Sequence, residues 1–402
     1  MGQESGKKKD ENVKFDFGAL VRFLYKSFFK SKGKHYHLTP KRFGVLLLSL
    51  GIYLPVQLII WSGLFLDEVF FRGYQDVQIQ SPVFIIGNPR SGTTFLHRLL
   101  AKDRENFLSM RTWEIFIAPS IFMRKVLKAL ARAGRAVGAP IQRRLRRLER
   151  EWQRENVIHK LAINAPEEDE YLLIHIFSTL KIWSFAAMLD EAHPYVYFDS
   201  LMESRQKERI LDFYARCLQR HLFMHEEEGR YYLAKNPNFS PMVDSLLDRF
   251  PDAKFIYLVR NPLDAVPSHL SLKEAEWQML GDPLEAYASR DFILESSLHW
   301  YTYPLERLAE EDQSRYIVVN FDQMVADPRK AVGEIYRRLG YEITPEYEKV
   351  LRRATERSRN HESDHTYSLQ EMGLDREQMV RLYQSVFDRF QFAAREPGGR
   401  EK

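Results

Sequence analysis

Short apolar runs alternate with longer amphipathic stretches over most of this chain. Residues 83–86 (Val-Phe-Ile-Ile) form one such run, and residues 231–235, 254–259 and 316–321 have the same character. Short apolar runs bounded by turn residues are typical of strands that are buried on both faces of a parallel sheet. Helical stretches lie between them, so the pattern predicts an α/β fold with a central parallel sheet.

The N-terminal part of the chain has a different pattern. Residues 43–66 carry no charge over 24 positions, which is long enough to span a bilayer, and basic residues precede them. Three interpretations are open: a helix that crosses the membrane and leaves the rest of the chain in the lumen or periplasm, a bent helix that lies on the cytoplasmic face, and a pair of short core helices. Pro55 and Gln57 interrupt the run near its middle, which favours the helix on the cytoplasmic face.

These patterns divide the chain into three parts. We predict a basic segment at residues 1–42, a membrane-associated helix at 43–71 that contacts lipid through 43–66, and one globular domain at 80–395. Within the domain, residues 113–229 have mostly helical character and predict a cap inserted after the first strand and helix. The first part of this insertion is strongly basic.

Composition narrows the class of protein only slightly. Of 402 residues, 45% are hydrophobic and 28% are charged, as in ordinary globular proteins, and the net charge is only +4. The single cysteine, Cys217, excludes an intramolecular disulfide. The twelve histidines are scattered, and we predict neither a metal site nor nucleic-acid binding.

The first apolar run leads into a sequence suited to binding an anion, Gly-Asn-Pro-Arg-Ser-Gly-Thr-Thr from Gly87. A helix that begins in this sequence directs unpaired N–H groups and the positive end of its dipole at the turn. Thr93 stands where a nucleotide P-loop has its lysine, so Arg90 supplies the cation instead. The candidate anion-binding residues are Arg90, Ser91, Gly92, Thr93 and Thr94.

Two later apolar runs also end in polar residues. The run at 254–259 ends before Arg260, and Ser268 follows eight residues later, about two helical turns along the same face. The planar guanidinium of Arg260 suits a dianionic phosphate. The run at 231–235 delivers Lys235 into a loop that contains prolines.

These motifs resemble those of the sulfotransferases that use 3'-phosphoadenosine 5'-phosphosulfate (PAPS), and most closely a mostly bacterial branch with Pro-Arg-Ser-Gly-Thr-Thr and acidic Pro-Glu-Glu-Asp-Glu motifs. The resemblance extends over residues 82–340 and implies a P-loop-like topology, with the first loop on the 5'-phosphosulfate. It implies that Arg260 and Ser268 bind the 3'-phosphate and that Lys235 is directed at the transferring group. Phe321 would pack on the adenine, with Phe95 on the other face of the ring.

The sequence departs from the family pattern at two places. In many relatives a histidine base follows the lysine within a few residues, whereas here Asn236 and the residues after it contain none. No segment after Gly340 matches the C-terminal Gly-x-x-Gly-x-x-Lys signature of cytosolic members, and residues 352–374 instead resemble a His-x-Tyr-Ser segment of the bacterial branch. The candidate replacements in that segment are Arg357, Arg359, His365 and Tyr367.

The resemblance implies transfer of a sulfuryl group from PAPS to a hydroxyl or amine of an unidentified acceptor, for which a lipid or a carbohydrate is our expectation. Arg90 and Lys235 would stabilise negative charge on the group in transfer. The acidic segment at 164–173 resembles a motif on the substrate side of the bacterial branch and predicts a helix start. It supplies the candidate general bases Glu168 and Glu170, ahead of His97 and His269.

Two other functions are open at this point. A P-loop kinase or nucleotide hydrolase would use a similar loop, but the threonine at position 93 and the lack of an acidic strand for magnesium count against it. An inactive membrane scaffold would explain the missing histidine and the missing C-terminal signature.

Overall fold

A five-stranded parallel sheet lies at the centre of the computed structural model, which describes residues 14–136, 163–225, 229–359 and 369–392. The strands have the spatial order β2-β3-β1-β4-β5, and every neighbouring pair is parallel. The predicted parallel α/β fold is therefore confirmed. The strands are β1 (Val83–Gly87), β2 (Phe107–Leu108), β3 (Tyr231–Lys235), β4 (Lys254–Val259) and β5 (Tyr316–Asn320).

Helices cover both faces of the sheet. They also form the N-terminal part of the chain before β1 and the described part of the long connection between β2 and β3. The α-helices of the described residues are α1 (Phe17–Phe29), α2 (Pro40–Phe70), α3 (Thr93–Leu100), α4 (Thr112–Phe116), α5 (Ile121–Ala136), α6 (Leu180–Phe185), α7 (Leu189–Val196), α8 (Phe198–Leu201), α9 (Ser204–Phe223), α10 (Val243–Arg249), α11 (Pro262–Leu280), α12 (Arg290–Leu308), α13 (Phe321–Ala326), α14 (Pro328–Leu339), α15 (Pro345–Arg359), α16 (Arg376–Leu382) and α17 (Gln384–Phe390). Shorter 3₁₀ segments lie at Arg72–Asp76, Asp169–Ile176 and Pro237–Met242.

Strand β1 is buried on both faces because alternate side chains enter different cores. Phe84 and Ile86 pack in the larger core, which includes residues of the helical insertion, and Val83 and Ile85 pack with α3 and α14 in the smaller core. This explains why the strand is a continuous apolar run. The central position of β1 puts the loop that follows it at the middle of the carboxyl edge of the sheet, where ligands bind in open α/β folds.

Side-chain caps begin several of these helices. Asn261 Oδ1 accepts a hydrogen bond from the Leu263 N–H at the start of α11, at 3.0 Å. Asp327 caps α14 through the Lys330 N–H, and Pro328 is the first residue of that helix. The caps set where these helices begin. Helix α11 begins directly after β4, and α14 begins after α13, the short helix that follows β5.

Helix α2 is one continuous helix of 31 residues that includes Pro55. The alternative of two short core helices is therefore wrong, whereas the bent helix on the cytoplasmic face stays a prediction. One face of α2 packs on the domain, where Gln57 contacts His175 at 3.1 Å and Asp67 accepts hydrogen bonds from the Ile121 and Phe122 N–H groups. In the described residues, α2 is the one helix whose length and apolar composition would allow it to cross a membrane.

The insertion between β2 and β3 is helical in the described residues, as expected. The helix start predicted at residues 164–173 is instead a 3₁₀ segment, Asp169–Ile176, and Glu168 precedes it without capping it through its side chain. Residues 137–162, which hold most of the basic stretch, lie outside the described residues. The same is true of His365 and Tyr367 and of the Arg359 side chain, whereas Arg357 lies in α15.

Gly87 gives a direct test of how closely the strands pack. Its φ is 138°, and a Cβ atom there would lie 2.3 Å from the Leu258 carbonyl oxygen of β4. We expect Gly87→Ala to lower the free energy of unfolding by about 3 kcal/mol, since both the backbone angle and the contact oppose it. Urea denaturation measures this loss.

Gly333→Ala is the matched control, because Gly333 is helical and no atom lies within 4 Å of the position that an added methyl group would take. It should leave the protein as stable as before or raise stability by about 1 kcal/mol. Equal effects of the two substitutions would contradict the close approach of β1 and β4.

Candidate active site

The loop between β1 and α3 forms an open anion cradle. Arg90 and Gly92 both have positive φ values, 69° and 86°, and a Cβ on Gly92 would lie 2.5 Å from the Phe321 ring. Ser91 is fully buried, and its hydroxyl has no hydrogen-bond partner among the described residues. A buried hydroxyl without a partner next to the first N–H groups of a helix is an arrangement that an anionic ligand would satisfy.

The second motif meets this loop directly. Arg90 Nε donates a hydrogen bond to Ser268 Oγ at 2.9 Å, and Arg260 Nη1 donates to the Arg90 carbonyl oxygen at 2.9 Å. The guanidinium of Arg260 lies 4.4 Å from the centroid of the Phe321 ring. Four residues predicted from separate motifs therefore come together at the carboxyl edge of β1 and β4. Phe95 is 38% exposed and does not line the cavity described below.

Two lysines and one carboxylate form the centre of the site. Glu168 Oε1 lies 2.6 Å from Lys235 Nζ, and Glu168 Oε2 lies 2.6 Å from Lys181 Nζ. Lys235 also donates to Thr94 Oγ1 at 3.1 Å, which joins this cluster to the anion cradle. Lys235 is 1% exposed. Sequence reasoning missed Lys181, because it lies in the apolar helix α6 with no motif around it.

Neighbouring residues hold this cluster in place. Asp169 accepts hydrogen bonds from Tyr214 at 2.7 Å, from Tyr232 at 2.5 Å and from the Asn236 side chain. Asn236 also accepts a hydrogen bond from the Glu170 N–H at 3.0 Å. Asn236, the first residue after Lys235, thus connects the end of β3 to the acidic segment and acts as a positioning residue for the ion pair between Lys235 and Glu168.

The ion pairs determine the charge of Glu168. Burial by itself would raise the pKa of Glu168, but the ammonium groups of Lys181 and Lys235 lower it well below its ordinary value. Glu168 is therefore ionised at neutral pH. As long as both lysines contact it, it is also a weak base.

The other predicted bases have different surroundings. The Glu170 carboxylate accepts hydrogen bonds from Thr179 and from Asn238, the latter at 2.8 Å. Glu170 does not line the cavity described in the next paragraph. Burial raises the pKa of Glu170. Burial, followed by the charge of Lys235, lowers the pKa of His97 to about 3, and burial with the charges of Lys273 and Arg90 lowers that of His269 to about 3. His269 lines the cavity, whereas His97 does not.

A cavity of 520 Å³ contains the groups described above. One end is polar and is formed by the anion cradle, Arg260, Lys235 and Glu168. The rest of the cavity lies among helices of the insertion, α11 and α12, and is lined by both apolar and polar side chains, the polar ones including Lys273, Glu276 and Ser296. Its apolar side chains are Phe116, Leu180, Phe185, Leu189, Leu272, Phe292, Ile293 and Trp300. The cavity can therefore take a charged molecule and an apolar one side by side.

A cluster of potential metal ligands lies apart from this cavity. His221 and His225 have helical i, i+4 spacing, which our sequence analysis overlooked, and they approach Glu114. Arg124 already occupies the cluster, with Nη1 2.7 Å from His221 Nδ1 and 3.6 Å from Glu114. A bound guanidinium at the ligand atoms opposes a metal cation at the same position.

Glu168→Gln tests the energetics of the central cluster. The substitution leaves the buried Lys235 ammonium without its carboxylate and leaves the partly buried Lys181 with only the more distant Glu170, so we expect it to cost about 3 kcal/mol of unfolding free energy at pH 7. The folded-state pKa of Glu168 lies below its unfolded value, so its stabilisation is complete above about pH 4.3 and is lost as the pH falls below that value. Denaturation of both proteins at pH 7 and pH 3 measures this.

Glu310→Gln is the control, since Glu310 has a 72% exposed side chain in a surface ion pair. Its effect should stay within about 0.5 kcal/mol at both pH values. A Glu168→Gln protein as stable as the wild type at pH 7 would show that the two lysines do not depend on this carboxylate.

Comparison with known proteins identifies relatives that match most of the chain. The chain is 25% identical over 287 residues to the omega-hydroxy-beta-dihydromenaquinone-9 sulfotransferase Stf3 of Mycobacterium bovis and of Mycobacterium tuberculosis, covering 69% of this chain and 68% of theirs. The crystal structure of sulfotransferase STF1 from Mycobacterium tuberculosis superimposes with a TM-score of 0.65 at 21% identity, over 92% of this chain and 91% of that one. Sulfotransferase STF9 from Mycobacterium avium superimposes with a TM-score of 0.63 at 21% identity, over 81% of both chains.

The family model for sulfotransferases matches residues 82–345, a range that begins just before β1 and ends at the start of α15. The match includes the anion cradle, the acidic segment, Lys235 and the pair formed by Arg260 and Ser268. Because it extends over more than half of the 402 residues, this protein belongs to the sulfotransferase family.

Proposed function

We propose that this protein transfers the sulfuryl group of PAPS to a hydroxyl group of an amphipathic lipid. The observation that carries the proposal is the convergence of Arg90, Arg260 and Ser268 at the loop after β1, next to the ion pair between Lys235 and Glu168. A sulfuryl donor with phosphates at both its 5' and 3' positions needs two adjacent anion sites. The two phosphate motifs supply these two sites.

The residues present fit such a donor. The unpartnered Ser91 hydroxyl, the first N–H groups of α3 and the Thr93 hydroxyl would hold the 5'-phosphosulfate. Arg260, whose buried Nε has no partner among the described residues, and Ser268 would hold the 3'-phosphate. Phe321 would pack on the adenine, whereas the 38% exposure of Phe95 gives no support to its predicted role on the other face.

PAPS supplies the sulfuryl group, whose bond to the phosphate oxygen breaks as a bond to the acceptor oxygen forms. Lys235 and Arg90 would neutralise the negative charge that develops on the sulfuryl and leaving oxygens. Glu168 would take the proton of the acceptor hydroxyl on a carboxylate oxygen. Its position in the cavity supports Glu168 over Glu170, which lies outside the cavity and is committed to Thr179 and Asn238.

The contact between Lys235 and Glu168 suggests how the base is controlled. Lys235 lowers the pKa of Glu168 while the two are paired. When Lys235 directs its protons at the sulfuryl donor instead, Glu168 loses one of its two counter-charges and becomes a stronger base. Proton removal is thereby favoured only when the donor site is filled.

A lipid acceptor is supported by the cavity and by one relative. The end of the cavity among the insertion, α11 and α12 is lined by apolar side chains such as Phe185, Phe292 and Trp300. The relative Stf3 is named for a menaquinone derivative, which is an isoprenoid lipid with a terminal hydroxyl.

Arg260→Ala should weaken binding of adenosine 3',5'-bisphosphate far more than binding of adenosine 5'-phosphate, because only the first ligand has a 3'-phosphate. The loss should be on the order of 1.5 to 3 kcal/mol, and Ser268→Ala should cost less. Calorimetric titration of both nucleotides measures the difference.

Arg376→Ala in α16 is the control and should change neither affinity. ATP is titrated as a third ligand, to compare its affinity with those of the two adenosine phosphates. Equal losses for the two nucleotides would show that Arg260 does not bind the 3'-phosphate. Wild-type protein that prefers ATP would support a kinase or hydrolase instead, and protein that binds none of the nucleotides would support an inactive scaffold.

We further propose that α1 and α2 attach the protein to the cytoplasmic face of a membrane without crossing it. Near its start, α2 contacts the domain through Arg42 and the Ala186 carbonyl, and near its end through Asp67 and Arg220. A helix that crossed a bilayer would separate its ends by about 30 Å of hydrocarbon. Since both ends bind the same domain, the helix is better suited to lie in the plane of the membrane.

The outer faces of these helices support this orientation. Leu48, Leu58 and Phe65 of α2 are at least 67% exposed, and so are Phe17 and Phe29 of α1. Lysines in the connection between the two helices are also exposed, at Lys30, Lys32 and Lys34. An apolar face next to exposed lysines suits the surface of a membrane with anionic lipids.

The triple variant Leu48→Ser, Leu58→Ser and Phe65→Ser should bind vesicles of phosphatidylglycerol and phosphatidylcholine at least about tenfold more weakly, because each lost side chain removes on the order of 1 kcal/mol of apolar burial. Binding of adenosine 3',5'-bisphosphate should not change. Sedimentation with vesicles measures the first quantity and calorimetry the second.

The control replaces equally hydrophobic exposed residues elsewhere, with Ile117→Ser, Leu201→Ser and Leu382→Ser. It should bind vesicles like the wild type. If both triple variants lost vesicle binding equally, the attachment would not depend on α2.

A further inference from the structure

A second cavity, which we call the basic cavity, lies beside β2 and has a volume of about 1100 Å³. Its lining concentrates positive charge from α3, the loop after it, the segment before α4, α5 and the start of β3. The cationic side chains are Arg98, Lys102, Arg104, Arg111, Lys128 and Arg230. None of the assigned steps of sulfuryl transfer uses this cavity.

Among the described lining residues of the basic cavity, six side chains are cationic and one is acidic. Glu114 is the one acidic residue among its described lining residues. Its carboxylate already accepts a hydrogen bond from the Arg111 N–H at 2.8 Å and lies 3.6 Å from Arg124. Arg98, Lys102, Arg104 and Lys128 make no ion pair with any described residue. A cavity lined by several cations favours an anionic ligand.

The histidines of the cavity respond to this field. Burial, together with the charges of Lys128, Arg230 and Arg124 and against the opposing charge of Glu114, lowers the pKa of His225 to about 4. The ring of His221 lies 5.1 Å from that of His225, and its pKa is also lowered. Arg124 donates a hydrogen bond to Nδ1 of the neutral His221 ring, so the ring proton lies on Nε2, which has no hydrogen-bond partner among the described residues and can donate to an anion.

Arg98 connects the basic cavity to the active site. It lies one turn after Thr94 on α3 and lines both cavities. Its Nε is buried and has no hydrogen-bond partner among the described residues. A buried guanidinium nitrogen without a partner, at the junction of two cavities, is suited to an anionic group that lies between them.

We propose that the basic cavity binds a phosphate group of the acceptor, so that the acceptor is an amphipathic phosphate ester. The phosphate would contact Arg98 and the cations beyond it while the acceptor hydroxyl lies at Glu168. This inference rests on the proposed sulfuryl transfer, because the bound phosphate ester is an acceptor only if the protein catalyses that reaction. The phosphate belongs either to a lipid headgroup or to a soluble phosphate ester, and both present the same chemistry.

The test uses the full-length protein saturated with adenosine 3',5'-bisphosphate, which fills the phosphate sites of the sulfuryl donor. Hexyl phosphate and hexanol are titrated by calorimetry, and the phosphate should bind at least about tenfold more tightly, as expected for charge-assisted hydrogen bonds. Arg104→Gln with Lys128→Gln should weaken hexyl phosphate binding by about tenfold or more. Both residues are exposed on the rim of the cavity and lie outside the transfer site.

The matched control is Lys330→Gln with Arg337→Gln, which removes the same charge from the exposed face of α14. It should leave hexyl phosphate binding unchanged. Equal affinities for hexyl phosphate and hexanol, or equal losses in the two double variants, would overturn the proposal. Thermal melting and binding of adenosine 3',5'-bisphosphate show that each variant is folded.

A spectroscopic arm separates the two sources of phosphate. The NMR resonance of the His225 ring, assigned with a His225→Asn variant, should titrate at a higher pKa when an anion fills the cavity. Hexyl phosphate and vesicles of phosphatidylglycerol are tested side by side, with phosphatidylcholine vesicles as reference. A response to hexyl phosphate supports a soluble ester, a response to phosphatidylglycerol alone supports a lipid headgroup, and no response to either overturns the proposal.

Failure of the proposed function would look different. In that case the wild type would not bind adenosine 3',5'-bisphosphate, while the hexyl phosphate titration and the His225 resonance would still report on the basic cavity. If the nucleotide binds and hexyl phosphate does not, sulfuryl transfer stands and only the phosphate-bearing acceptor is wrong.

Discussion

The arrangement of this protein depends on one buried carboxylate shared by two lysines. Glu168 lies 2.6 Å from both Lys181 and Lys235, and these groups belong to the acidic segment, α6 and β3. None of the three could be buried alone at an acceptable cost, because an unpaired charge in the interior is strongly destabilising. The sheet and the helical insertion therefore meet where these opposite charges pair, and Glu170, 3.6 Å from Lys181, supplies the second negative charge. The anion cradle reaches the same point, because Lys235 donates a hydrogen bond to Thr94.

The parallel sheet explains why positive groups gather at a single edge. Because neighbouring strands are parallel, their carboxyl ends lie together, and each of three strands delivers a cationic group there. β1 leads to Arg90, β3 ends in Lys235, and β4 leads to Arg260. Such a concentration of charge favours a ligand with several negative groups. The basic cavity next to it continues the same field through Arg98.

Helix α2 meets two opposing requirements. Its inner face carries polar groups that bind the domain, including Arg42, Gln57 and Asp67, whereas its outer face is apolar and exposed. Buried polar groups need partners, and here the domain provides them along the whole length of the helix. An exposed apolar face of this length needs a partner as well, and a membrane surface would cover it.

The amino-acid sequence alone determined the parallel sheet, the loop of Arg90 to Thr94 and the sulfotransferase resemblance, because buried strands and turn glycines leave local patterns. The contacts between motifs needed the tertiary structure. Lys181 lies in an apolar helix with no local signal, and the roles of Asn236 and Asp169 arise from partners far away in the chain. The tertiary structure also decided between one continuous helix and a pair of short core helices at residues 43–66, because the apolar run is compatible with both. Local sequence sets which elements form, whereas long-range packing sets which charges meet.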